Sequence, residues 1–142
     1  MNYFTSTKSN AVITDIVILV IRIFVGFAML SHGFPKLQQL LSGEEIQFYE
    51  FLGLSGKTSL ILAVFAEFVC SIFIILGLFT RFAVFFLIIT MAVAGLVVHS
   101  SDSFDKRELS LLYLSVYMIL FAYGPGRYSV DHMIARRRES RW

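Results

Sequence analysis

Four apolar runs, each broken by few polar positions, set the pattern of this chain. They are Val12–Ser31, Ser59–Phe79, Phe82–His99 and Leu109–Tyr123. About 20 apolar residues cross a bilayer core, with roughly 17–25 tolerated. The first three runs fit that range. The fourth is short, so its ends rely on interfacial tyrosines or a thinned bilayer. Each run is too apolar for an amphipathic surface helix. The pattern predicts an all-α, polytopic membrane protein, a four-transmembrane-helix bundle. Residues 1–11 form an N-tail, 12–123 the bundle and 124–142 a basic C-tail.

The links differ in character. His32–Thr58 is the longest and holds Gly33, Pro35, Gly43, Gly53 and Gly56. Its mixed stretch from Ile46 to Leu52 suits a short helix lying at the interface. Thr80-Arg81 is a minimal second link, and Ser100–Glu108 is polar. Gly124-Pro125-Gly126 ends the fourth run, because Pro removes a donor and Gly permits tight turning. Basic residues then set orientation. Lys8, Arg81, Arg127, Arg136, Arg137, Arg138 and Arg141 fall on one side, against Lys36, Lys57, Lys106 and Arg107 on the other. The expectation is a multi-pass protein of the bacterial cytoplasmic (inner) membrane with both termini cytoplasmic. Asp15 and Arg22 interrupt the first run and no small-residue cleavage site follows promptly, so this segment reads as retained.

Composition agrees. Of 142 residues 57% are apolar and 15 are Phe. A net charge of +2 gives no case for binding nucleic acid. Cys70 is the single cysteine, which excludes an intrachain disulfide and a two-thiol redox motif. It reads as a small packing residue.

Two charges stand inside the runs. Arg22 lies at the midpoint of the first and Glu67 near the midpoint of the second. A central Arg costs roughly 2.5–3.5 kcal/mol on insertion scales, so a partner is expected. Equal depth predicts an Arg22–Glu67 ion pair between neighbouring helices. It serves either as a brace or as a polar centre that binds a ligand or relays protons. Gly26 shares a face with Arg22, and Ala63, Glu67 and Ser71 share another beside Cys70; small residues let membrane helices approach closely.

A second cluster falls at the outer ends of the runs: His32, Lys36, His99 and Glu108, with Asp102 and Asp105 in the third link. Tyr113 and Tyr117 are four apart and share a face running inward. These groups can surround one outward opening. Histidine titrates near neutral pH, and the aromatic side chains suit a quinone-like ring. The alternative is ordinary interfacial decoration. His32, His99 and a carboxylate lack the local spacing of a metal site. No phosphate-binding glycine loop and no serine nucleophile–base signature is present.

The motifs taken together resemble the DoxX family of small bacterial four-helix membrane proteins, including its YphA-like inner-membrane members. The resemblance rests on Arg22 with Gly26, Ser31-His32-Gly33, Lys36-Leu37, Phe51, Gly53-Leu54 and Ala66-Glu67. It continues through Gly77-Leu78-Phe79-Thr80-Arg81, Met91 to Ala94 and His99, and ends with Gly124-Pro125-Gly126-Arg127-Tyr128-Ser129-Val130-Asp131. It implies an accessory or ligand-binding subunit of a membrane oxidoreductase system, since the family takes its name from a small subunit associated with thiosulfate:quinone oxidoreductase. No cofactor is fixed by it, with quinone the candidate; the candidate partners within the bilayer are oxidoreductase subunits or a second copy. A redox-active quinone-binding enzyme subunit using His32, His99 and the Arg22–Glu67 centre, or a small transporter built on Arg22 and Glu67, are the competing readings. The Gly124–Asp131 motif reads as structural: Ser129 caps a short helix, Asp131 sits in its first turn, and Arg127 can pair with Asp131.

Overall fold

A computed structural model describes residues 10–43 and 45–140. Lys8 and Arg141, on which the orientation reading draws, lie outside the described residues. Helix α1 spans Ala11–Leu41 and starts at Asn10, whose side chain accepts from the Val12 amide at 3.0 Å. Helix α2 spans Gly56–Leu76, α3 Thr80–Val98, α4 Phe104–Tyr123 and α5 Val130–Glu139. No strand occurs among the described residues.

Helices α1, α2 and α3 are each long and apolar enough to cross a membrane. The expected fourth span is a difference. Leu109–Tyr123 is helical, but α4 begins five residues earlier, at Phe104, and takes in Asp105, Lys106, Arg107 and Glu108. Helix α4 packs along α3 nonetheless. The stretch from Ile46 to Leu52 does not form the expected interfacial helix. It is irregular up to a single turn at Phe51–Gly53.

The first run also ends later than its polarity suggested. Helix α1 continues through Pro35 to Leu41, so 31 residues make about 46 Å of helix. Its contacts fix its register on α2. A Cβ at Gly33 would sit 2.8 Å from the Glu67 carbonyl oxygen, and one at Gly26 2.4 Å from the Ile75 side chain. Glycine at 33 therefore lets the two backbones meet where no other residue fits. Between the helices lies a core of Val25, Met29, Ala66, Cys70, Ile74, Ala83, Val84, Leu87, Tyr117 and Leu120. Outward, Phe24, Phe27, Phe82, Leu112 and Met118 are exposed, a surface that suits lipid.

This register corrects the Arg22–Glu67 pair. Both side chains are buried, yet they lie at different levels. Arg22 meets the C-terminal end of α2: its Nε donates to Ile74 O at 3.0 Å and its Nη2 to Ile75 O at 3.2 Å. Its Nη1 donates to Tyr128 O at 3.0 Å and to Pro125 O. Four carbonyls, two at a helix end where the dipole favours a cation, take the place of a carboxylate. Equal depth had been inferred by centring each run separately. The extension of α1 to Leu41 shifts its midpoint from Arg22 to Gly26.

The same end is knotted further. Gly77 closes α2 at φ +70°, with Leu78 N bonded to Phe73 O at 2.9 Å. Phe79 follows in the left-handed region, at φ 46°. The Asp131 carboxylate accepts from Phe79 N at 2.8 Å and Thr80 N at 2.9 Å, so it caps α3 from across the fold. The expected Arg127–Asp131 pair is thereby displaced. The Arg127 amide donates instead to Asp15 at 3.1 Å. Ser129 caps α5, accepting from His132 N at 3.2 Å.

Candidate functional site

Two π-helical turns shape the opposite half of the bundle. Within α2, Phe65–Val69 is π-helical and carries Glu67. Within α3, Ala94–Val98 is π-helical and delivers His99. Such turns are rare and recur at functional sites, because the inserted residue re-aims the side chains around it. Ser71 Oγ satisfies the Glu67 carbonyl at 2.8 Å, and Arg107 Nε satisfies Gly95 O at 3.0 Å.

Both π turns border one cavity of about 200 Å³. Met29, His32 and Lys36 line it from α1, Glu67 from α2, Met91, Ala94 and His99 from the α3 side, and Leu109, Ser110 and Tyr113 from α4. Lys36 Nζ lies 2.5 and 2.6 Å from the two Glu67 oxygens, and Lys36, not Arg22, is the partner of Glu67. The Lys36 side chain is 30% exposed and that of Glu67 5%, so the pair faces the cavity from a largely buried base. Lys36 also lies over the Phe48 ring, 5.9 Å from its centroid. His32 is exposed and sets its ring edge-on to Tyr113 at 6.0 Å. Tyr117 stacks on Tyr113 at 6.0 Å, one turn deeper. Its buried hydroxyl has no hydrogen-bond partner among the described residues.

At the outer end His99 Nδ1 lies 2.7 Å from Asp102 Oδ2. The His99 hydrogen bond holds the Asp102 carboxyl below the usual carboxylate range; slight desolvation opposes this and Lys106 adds to it. Of the six residues expected at an outward pocket, His32, Lys36, His99 and Tyr113 line the cavity. Glu108 is exposed and stands outside it, and Tyr117 lies behind Tyr113. Among the described residues no group of three His, Cys, Asp or Glu side chains is placed to hold a metal. Arg107 entered the sequence reading only as a topology charge, and Met29 had no part in it. A signal for Met29 was present: Met29, His32, Gly33 and Lys36 form an i, i+3, i+4, i+7 stripe, one face of a helix that runs past Ser31.

The cavity therefore offers an ion pair, two imidazoles and a phenol inside an otherwise apolar bundle. Residues 17–100 match the family model named DoxX. The chain belongs to the DoxX family. An uncharacterized protein of Haemophilus influenzae is 30% identical over 124 residues, covering 82% of this chain and 90% of that protein. No solved structure gives a significant match. The span shared with DoxX proteins holds Arg22, Lys36, Glu67 and His99, but not Pro125, Tyr128 or Asp131.

Proposed function

We propose that this DoxX protein is a ligand-binding subunit of a membrane oxidoreductase system, with its ligand seated in the Lys36–Glu67 cavity. The cavity is the observation that carries the reading. An apolar cavity of roughly 150 Å³ holds benzene. About 200 Å³ therefore suits one substituted ring. Met29, Met91 and Leu109 supply apolar walls, and His32, Lys36 and His99 supply donors to ring oxygens. That donor set and volume fit the head of a quinone, with its tail in lipid. When bound, a quinone supplies two-electron redox capacity; the chain's own residues bind and orient it. Membership of DoxX supports the oxidoreductase association, since the family is named for such a subunit. We place the protein in the bacterial cytoplasmic membrane with both termini inside. The basic residues of the Arg81 link and of the tail support this.

The test is equilibrium binding of a short-chain ubiquinone to the purified full chain in nanodiscs. Saturable one-to-one binding is expected, weakened about tenfold in H99A and in H32A, the worth of one hydrogen bond. Equal, non-saturable partition in all three proteins refutes the quinone reading. Native mass spectrometry of the gently extracted protein tests the second half, through a stoichiometric redox partner.

One observation favours a transport reading as well. The Lys36–Glu67 pair lies near the middle of α2, where charge marks pathways in transporters. Proton flux into proteoliposomes that is lost in E67Q, without quinone binding, selects that reading.

A further inference from the structure

We infer that α5 is an interfacial arm that binds anionic phospholipid headgroups. Its placement comes first. Asp131, in its first turn, caps α3, and the Asp131 amide donates to Gly77 O at 2.9 Å. The helix is thus pinned to the bundle at the link between α2 and α3, where the chain leaves and re-enters the apolar layer. None of its residues is buried. It therefore neither packs into the bundle nor hangs from a long linker.

Its faces come second. At roughly 100° per residue, Val130, Met133, Ile134, Arg137 and Arg138 share one side. Met133 is 57% and Ile134 39% exposed. Asp131 and Glu139 fall off that side. Apolar residues at the anchored end and arginines at the free end of one face make an interfacial pattern: the former enter the headgroup boundary and the latter meet phosphate. The basic last turn also complements the helix dipole.

A third observation commits the occupant to lipid. Helix α1 runs about eleven residues past the level of Arg22 at this same end. There Val12, Ile13, Ile16, Val17 and Val20 are exposed. An apolar surface of that kind, on the helix whose Asp15 accepts from the Arg127 amide just ahead of α5, belongs against a bilayer. The charge on α5 then selects anionic over zwitterionic headgroups.

The test is amide hydrogen exchange of residues 133–138 in the full-length protein. It compares nanodiscs of phosphatidylcholine alone with nanodiscs that also contain phosphatidylglycerol. Nanodiscs leave both faces open to solvent, so an inverted topology does not alter the readout. Exchange is expected to slow in the anionic lipid by about fivefold per arginine. The slowing should vanish in R137Q/R138Q and persist in K57Q/K106Q, which removes equal charge outside α5. Equal exchange in the two lipids overturns the inference, as does slowing that survives R137Q/R138Q or that disappears in K57Q/K106Q. Slowing that requires an added protein partner also overturns it.

Discussion

Replacing Arg22 by Met tests the central correction. The substitution keeps most of the volume and removes every donor. Ile74 O keeps the Gly77 amide at 3.1 Å. Ile75 O, Tyr128 O and Pro125 O lose the guanidinium. A buried acceptor left unsatisfied costs about 1–3 kcal/mol, and water reaches part of a bundle end. The expected loss is about 3–5 kcal/mol, and R22K, a point charge without the fork, should lose about half as much. Glu67 is seven residues from Ile74, about 10 Å along the helix. Sites that far apart, with no shared partner, add to within about 0.5 kcal/mol. The R22M/E67Q double-mutant cycle should therefore show almost no coupling. The assay is unfolding in mixed micelles titrated with SDS, followed by circular dichroism. A coupling above about 1 kcal/mol, or rescue of R22M by E67Q, would restore the direct ion pair and refute the register argument.

Three further outcomes follow from the same geometry. G33A should destabilise by about 1–3 kcal/mol, because its Cβ meets Glu67 backbone that cannot yield. G26A should cost less in the same unfolding assay, since Ile75 can change rotamer. D131A should lose about 1–2 kcal/mol through the α3 cap, with D131N retaining part of it. The Asp102 pKa lies below its unfolded value, so its stabilising contribution is present above the unfolded pKa and fades as pH falls through the folded one. Acidification through the carboxylate range should loosen residues 99–103, read by hydrogen exchange. H99A should raise the Asp102 pKa toward its ordinary value, read by carboxyl NMR, and flatten that response.

Apolar runs fix only so much. They predicted an all-helical membrane chain because burial in lipid demands internally bonded helices. The runs did not place the end of α1. Ser31, His32 and Pro35 look like a link, yet the helix passes through them and seats His32 and Lys36 one turn apart. That single extension moved Arg22 to the bundle's end and gave Glu67 a different partner. Charge in the third link misled in the same way, since α4 takes in Asp105 to Glu108 as its first turns. Ser129 was legible as a cap because capping is local chemistry. The carboxylate of Asp131 capping a helix 51 residues earlier was not, because nothing local specifies that meeting.

The two halves of the bundle carry different information. The most recognisable contiguous motifs, Gly77–Arg81 and Gly124–Asp131, converge on one knot. There they satisfy Arg22 and the α3 N-terminus, a folding role that any DoxX relative with the same residues can share. The cavity draws one residue from α2 and three from each of the other segments, spaced along their helices rather than as a contiguous motif. The span matched to DoxX supplies its ion pair and its two histidines. Leu109, Ser110 and Tyr113, the wall that faces them, lie beyond that span. On the proposed reading, a ligand held at its polar end by Lys36 and His99 meets its shape limits at that wall. The same reading assigns selectivity to α4, where Tyr117 stacks behind Tyr113 and a change in one ring alters the depth of the site.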